Sequence, residues 1–227
     1  MRAPRQPGNV VSSRTEKLGL ALVAATVLFC YGNLAALLRP FAFERQSSSY
    51  YALLADGFMA GRLSFLLEPP AALAKLADPY EPRQRVGIDT GRNMLDVTYY
   101  KGRYYIYFGV APELALFLPF RLLTGAHFSE NLAVAIFCSG GYLCSLGFFL
   151  GLRRRYFPAA GTGLVWLGAI LLGGCNFSLL LLERSHIWEV PIASAYCFSC
   201  LGLWVLFLGL EGGRRSLLWL TAASTAL

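Results

Sequence analysis

Charged residues are scarce in this sequence. Aspartate, glutamate, lysine and arginine make up 15% of the 227 residues, against 56% hydrophobic residues and a mean hydropathy of +0.51. That balance excludes an ordinary soluble domain of this size and indicates an integral membrane protein. The polar stretches contain no cysteine: Cys30, Cys138, Cys144, Cys175, Cys197 and Cys200 all fall inside apolar runs. A disulfide-stapled external loop is therefore excluded, and the thiols read as small packing residues. Cys197-x-x-Cys200 has metal-like spacing, but no second pair and no histidine on its segment. The net charge of +7 is not gathered into one basic patch. Its lysines and arginines sit at the ends of hydrophobic runs, which is a topological pattern and excludes a nucleic-acid partner.

What the sequence has in quantity is long apolar runs. A basic tail, residues 1–17, carries Arg2, Arg5, Arg14 and Lys17 against Glu16 and precedes an apolar run at 18–38. The run is long enough to cross a bilayer. It exceeds the apolar region of a signal peptide, and no small-x-small site follows before Arg39-Pro40, so an uncleaved anchor is expected. Residues 39–128 form a polar external loop, and residues 129–227 return to apolar segments at Asn131 to Leu152, Gly161 to Leu182 and Ile187 to Leu210. Arg153 to Arg155 and Arg214-Arg215 then fall on the side of the basic N-terminus, which the positive-inside rule makes cytoplasmic. Ser216 to Leu227 is about half a crossing, and a truncated chain is expected. Glycines at 140, 141, 147 and 151, and again at 161, 163, 168, 173 and 174, are expected to let helices approach closely.

Within the loop, Ser47 to Leu63 predicts an amphipathic helix lying flat at the membrane interface, with Ser47 to Ser49 able to cap it. Glu68 to Pro82 is punctuated by proline and should be extended and turn-rich. Leu95 to Gly109 predicts a β-hairpin turning at Lys101-Gly102. Tyr100 then faces Arg103, Tyr99 faces Tyr104, Thr98 faces Tyr105, Val97 faces Ile106, Asp96 faces Tyr107 and Leu95 faces Phe108. The apolar face of that hairpin is expected to rest on the membrane domain. Ala111 to Gly125 is too short to span and reads as a dipping or interfacial helix. The expected fold class is an all-α polytopic membrane protein: a helical transmembrane bundle with a large external loop containing interfacial helices and a small β-hairpin.

Tyr50 to Leu63 (Y-Y-x-L-L-A-D-x-F-x-x-G-R-L), Asp78 to Pro82 (D-P-Y-E-P), the hairpin sequence and Pro112 to Phe120 (P-E-L-A-L-F-L-P-F) follow a first apolar helix. In this layout the chain resembles bacterial membrane glycosyltransferases of the GT-C type, similar to the lipid A and protein mannosyl transferases, over about Leu18 to Leu210. The resemblance implies an enzyme of the bacterial cytoplasmic membrane. It would pass a sugar from a polyprenyl-phosphate donor to an acceptor on the outer face, among membrane lipids. That family's catalytic acid precedes the Tyr-x-x-x-Ala stretch, where this chain has Ser47-Ser48-Ser49. Either another loop carboxylate serves, or the chain is a non-catalytic protein or remnant that binds lipid or glycan.

Transfer with inversion needs a carboxylate to take a proton from the acceptor hydroxyl. Asp96, on the polar aromatic hairpin face with Tyr100, Tyr105 and Tyr107 as sugar-stacking surfaces, is one candidate; Asp56, with Arg62 within two turns, is the other. Lys101, Arg103 and Arg92 could hold the donor phosphate, arginine through its bidentate fork. Asp78 and Glu81 flank Pro79-Tyr80, which suits either a turn or a divalent cation as cofactor. Glu183, Arg184 and His186 before Trp188 suit either a functional cluster or an interfacial belt. His127 receives no role, and the Asn176 sequon lies in an apolar run.

Overall fold

The computed structural model describes residues 14–37, 40–85, 88 and 96–212. They form a mostly helical molecule with a single two-stranded antiparallel sheet among the described residues. Four helices are long and apolar enough to cross a membrane: Arg14–Leu37, Glu130–Tyr156, Thr162–Arg184 and Glu189–Leu210. The first is α1 and the second α5; the third is interrupted, giving α6 (Thr162–Gly174) and α7 (Ser178–Arg184); the fourth lies in α8 (Glu189–Gly212). Arg92 and Leu95, and the short segment from Ser216, lie outside the described residues.

The interruption has a visible cause. Asn176 turns its amide inward along the chain, donating to the Leu172 carbonyl at 2.6 Å and accepting from the Ser178 N–H at 2.8 Å. Tyr31 of α1 donates its hydroxyl to the Gly173 carbonyl at 2.7 Å. The carbonyls and N–H groups freed at the break thus find side-chain partners, as buried helix ends require. The sequence predicts 161–182 as unbroken because the apolar run continues through the break.

α5 packs against α8 along nearly its whole length, and α1 packs against α5 and α6. The glycines of α5 work differently from the close backbone approach expected. A Cβ at Gly141 would fall 2.3 Å from the Tyr196 ring, at Gly147 2.6 Å from Trp204 and at Gly151 2.5 Å from Phe207. They are sockets for aromatic side chains of α8. At the far end from the loop, which we call the arginine end, Arg153 holds Glu16 at 2.9 Å, and Thr162 donates to the same carboxylate at 3.1 Å. One ion pair thus joins α1, α5 and the start of α6.

The loop folds into a cap on the opposite end. Helix α2 (Tyr50–Met59) starts where Ser49 Oγ accepts from the Ala52 N–H at 3.2 Å, an N-cap, and it ends before Gly61 at φ +69°. Six of its ten residues are buried, Tyr51, Ala52, Leu53, Leu54, Ala55 and Gly57. This corrects the expectation of a helix lying flat at an interface: α2 is sandwiched. Leu53 and Leu54 face the hairpin, while Tyr51 stacks on Phe117 at 4.7 Å toward the helix ends.

A 3₁₀ turn at Leu73–Lys75 and the short α3 (Pro82–Arg85) punctuate the proline-rich stretch. Strands β1 (Val97–Tyr100) and β2 (Arg103–Ile106) follow, paired Val97 with Ile106, Thr98 with Tyr105, Tyr99 with Tyr104 and Tyr100 with Arg103. The turn residues Lys101 and Gly102 both have positive φ, 47° and 74°, as a tight two-residue hairpin turn demands. Pairing stops before Asp96, which lies at φ 57° and leaves the strand direction. The buried face, Val97, Tyr99 and Tyr104, rests on Leu53, Leu54, Phe65 and Leu73 of the loop itself. The hairpin therefore closes a second small core instead of lying mainly on the long helices, although Ile106 touches both cores.

Ala111 to Gly125 is one short helical stretch that is not among the four long apolar helices. It opens at Ala111 and Pro112, widens into a π-helical turn, Glu113–Phe117, and continues as α4 (Leu118–Thr124). Pro119 has no N–H to return to the carbonyl four residues earlier, which favours the wider turn.

Candidate functional site

The start and end of the cap are fastened side by side: the His127 N–H donates to the Glu44 carbonyl at 2.8 Å. Phe43, Phe120 and Phe128 pack beneath this bridge, the last two with ring centres 4.8 Å apart. Asn131, in the first turn of α5, donates to the Ala35 carbonyl near the end of α1 at 3.2 Å. These contacts bring the first and last residues of the cap over the junction of α1, α5 and α7.

A cavity of 230 Å³ opens there, lined among others by Glu44, Ser47, Ser49, His127, Glu130 and Ser185. A second recess of 320 Å³ adjoins it, sharing Ser49 and Glu130 and adding Ser48, Tyr50, His186 and Trp188. The walls combine carboxylates, hydroxyls and imidazoles, and neither lysine nor arginine is among the described residues that line them. Such a surface can accept and donate hydrogen bonds to a neutral polyhydroxylated group, and its carboxylates can take up a proton.

Behind the cavity lies a charged cluster. Asp56, on α2, receives the Arg121 Nε at 3.0 Å and faces His127 Nε2 at 3.4 Å. Arg121 also donates to the Gly125 carbonyl. His127 is buried, which pushes its imidazole toward the neutral form; Arg121 acts in the same sense and Asp56 against it. Glu113, first residue of the π-helical turn, is fully buried, and neither carboxylate oxygen has a hydrogen-bond partner. Burial, reinforced by the Asp56 charge, pushes its carboxyl up to about 8. The Tyr51 hydroxyl is likewise buried without a partner and is held protonated by burial and by the neighbouring Glu130 and Glu113.

The residues singled out in the sequence are dispersed. Asp96 lies at the base of the hairpin, its Oδ2 accepting from the Trp188 indole at 2.7 Å, so it braces one wall of the second recess. Asp56 is engaged by Arg121 and His127. Lys101 sits over the Tyr100 ring at 5.2 Å, and Arg103 is exposed on β2 beside it. Tyr100 and Tyr107 are exposed and Tyr105 is half-buried, on the hairpin face turned away from α2. Arg92 lies outside the described residues. Asp78 Oδ1 accepts from the Tyr80 N–H at 2.9 Å and Glu81 Oε1 from the Arg83 N–H at 3.3 Å, which is turn geometry. Among the described residues no group of three or more His, Cys, Asp or Glu side chains is arranged to hold a metal ion.

Glu44, Glu113, His127 and Glu130 were not singled out as site residues. Glu44 stands three residues before the Ser47-Ser48-Ser49 departure, which was the signal available for it. Glu113 interrupts an apolar stretch, where an ionisable residue is a functional candidate by default.

The fold and cavity define a class: a chain of four long apolar helices with a folded polar cap and a carboxylate-lined cavity beneath it. Comparison with protein-family models, with curated proteins and with solved structures gave no match.

Proposed function

We propose that the chain is a membrane glycosyltransferase-like protein of the bacterial cytoplasmic membrane, with its N-terminus in the cytoplasm and the cap on the outer face. It takes a sugar from a polyprenyl-phosphate donor and passes it to an acceptor hydroxyl. The observation that carries this reading is the cavity formed by Glu44, Ser47, Ser49 and Glu130 where the cap meets the helix ends. A lipid-linked donor keeps its chain among the helices and its sugar at that boundary. Glu44 is the best placed carboxylate for the base: it lines the cavity just before the serines that replace the family's acid. Asp96 and Asp56 hold the surrounding wall through Trp188 and through Arg121 with His127.

The test measures sugar transfer in membranes supplied with a labelled polyprenyl-phosphate sugar. Glu44→Gln should lower turnover by about 10²- to 10⁴-fold, the range for removing a general base, and leave donor binding intact. Asp96→Asn should chiefly weaken donor binding. Full turnover in the Glu44→Gln protein sinks the assignment of the base. Donor binding without turnover in the unaltered chain would support the alternative, a non-catalytic lipid or glycan binder.

A further inference from the structure

At the arginine end, α5 and α6 splay apart around a groove of 440 Å³. Its walls are apolar, with Phe149, Leu164, Leu167 and Leu171 prominent, and its head is formed by Arg153 and Phe157. Leu164, Leu167 and Leu171 are 63%, 49% and 47% exposed, so the groove is open along its side. From Thr162 to Leu171 the α6 wall runs about 14 Å at the α-helical rise, a length suited to an acyl chain.

Beside the head of the groove α5 ends in three consecutive arginines, of which Arg154 and Arg155 are exposed. Residues 14–20 and 150–164 together contain five basic residues, Arg14, Lys17, Arg153, Arg154 and Arg155, and one acidic residue, Glu16. Arg153 is itself more than nine-tenths buried; its two terminal nitrogens serve Glu16 and the Ala160 carbonyl, while its Nε has no partner. A lysine- or arginine-rich helix end attracts anionic lipid headgroups, by about 1 kcal/mol per basic residue near the surface.

We propose that this groove binds an anionic phospholipid, one acyl chain lying between α5 and α6 and the phosphate meeting the arginine run that begins at Arg153. The inference rests on the helices crossing a membrane and is independent of sugar transfer. The test uses the full chain purified in mild detergent and incubated with equal amounts of phosphatidylglycerol and phosphatidylcholine of matched acyl chains, read by native mass spectrometry. Phosphatidylglycerol should be retained about tenfold over phosphatidylcholine, one tenfold step corresponding to about 1.4 kcal/mol. The exposed pair Arg154→Gln with Arg155→Gln should bring the two lipids to parity. Leu167→Trp, which fills the groove at an exposed position, should remove both. Equal retention of the two lipids by the unaltered chain overturns the proposal, as does undiminished retention in Leu167→Trp. Retention of neither lipid also overturns it and indicates a groove covered by protein.

Discussion

Glu113 is the residue whose surroundings are least compatible with its charge. The ionisable groups that interact with it are Asp56 and Tyr51, both on α2. Arg121 is spent on Asp56 and the Gly125 carbonyl, so no described cation answers the Glu113 carboxylate. The carboxyl is therefore neutral at pH 7. Below the ordinary carboxyl value both folded and unfolded chains hold this proton; between there and about 8 only the folded chain does. Stability should fall as pH rises through that window, by up to about 1.4 kcal/mol per pH unit from this group, and level off above it. Glu113→Gln, which copies the neutral acid, should flatten the slope of apparent Tm against pH between 5 and 8 in detergent. An unchanged slope would show that Glu113 is charged in the fold. None of this could be read in the sequence, where Glu113 is one acid in an apolar stretch: burial and missing partners arise only when α2 is laid across the π-helical turn. Asp96 shows the converse. Period-two alternation places it opposite Tyr107, but pairing stops before it at φ 57°, and its partner, Trp188, lies 92 residues away.

Among the elements, the hairpin was the most legible, because a two-residue turn with glycine fixes the register and the register fixes both faces. The surface beneath it was not legible, since an apolar strand face specifies burial and not the partner. For α2, helical spacing of Tyr51, Leu54, Phe58 and Met59 predicts one apolar stripe, yet Met59 is exposed and Ala52, Leu53, Ala55 and Gly57 are buried. Gly57 is decisive there: a Cβ would meet the Ser64 carbonyl at 2.1 Å, where the chain returns along α2 before Phe65 bonds the Tyr104 carbonyl at 2.9 Å. The sockets on α5 yield a direct prediction. Gly147→Val should collide with the Trp204 ring and destabilise the α5 and α8 pair by about 1–3 kcal/mol, the usual cost of overpacking. Combining Gly147→Val with Trp204→Leu should recover part of that loss, as coupled neighbours do. Thermal unfolding of the two single variants and the double variant measures the coupling; strict additivity would mean that glycine and ring do not share the space.

For the whole molecule, the four apolar helices and the placement of the basic residues determine what a membrane would impose. Four crossings put the cap, at residues 40–128, on one side; the turn at residues 157–161 and the end of α8 lie on the other, with Arg153 to Arg155 beside that turn. This parity holds only because Ala111 to Gly125 does not cross, and the structure supplies the physical reason. Glu113 and Phe117 of the π-helical turn are buried, Phe117 stacked on Tyr51 of α2, and the helical stretch ends at Gly125, at φ +69°, after twelve residues from Glu113. Even counted from Ala111 to Thr124, fourteen residues of helix fall well short of the roughly 20 that a crossing needs. Reporters fused after Gly125 and after Ala160 test this arrangement in living cells. Alkaline phosphatase, active only outside the cytoplasm, should be active when fused after Gly125 and inactive after Ala160; a fluorescent protein that matures only in the cytoplasm should give the reverse. Phosphatase activity at both positions would mean that the helix pair α6 and α7 does not carry the chain across. Activity after Ala160 alone would invert the orientation, place the carboxylate cavity in the cytoplasm and remove the basis for a lipid-linked donor approaching from the outer leaflet.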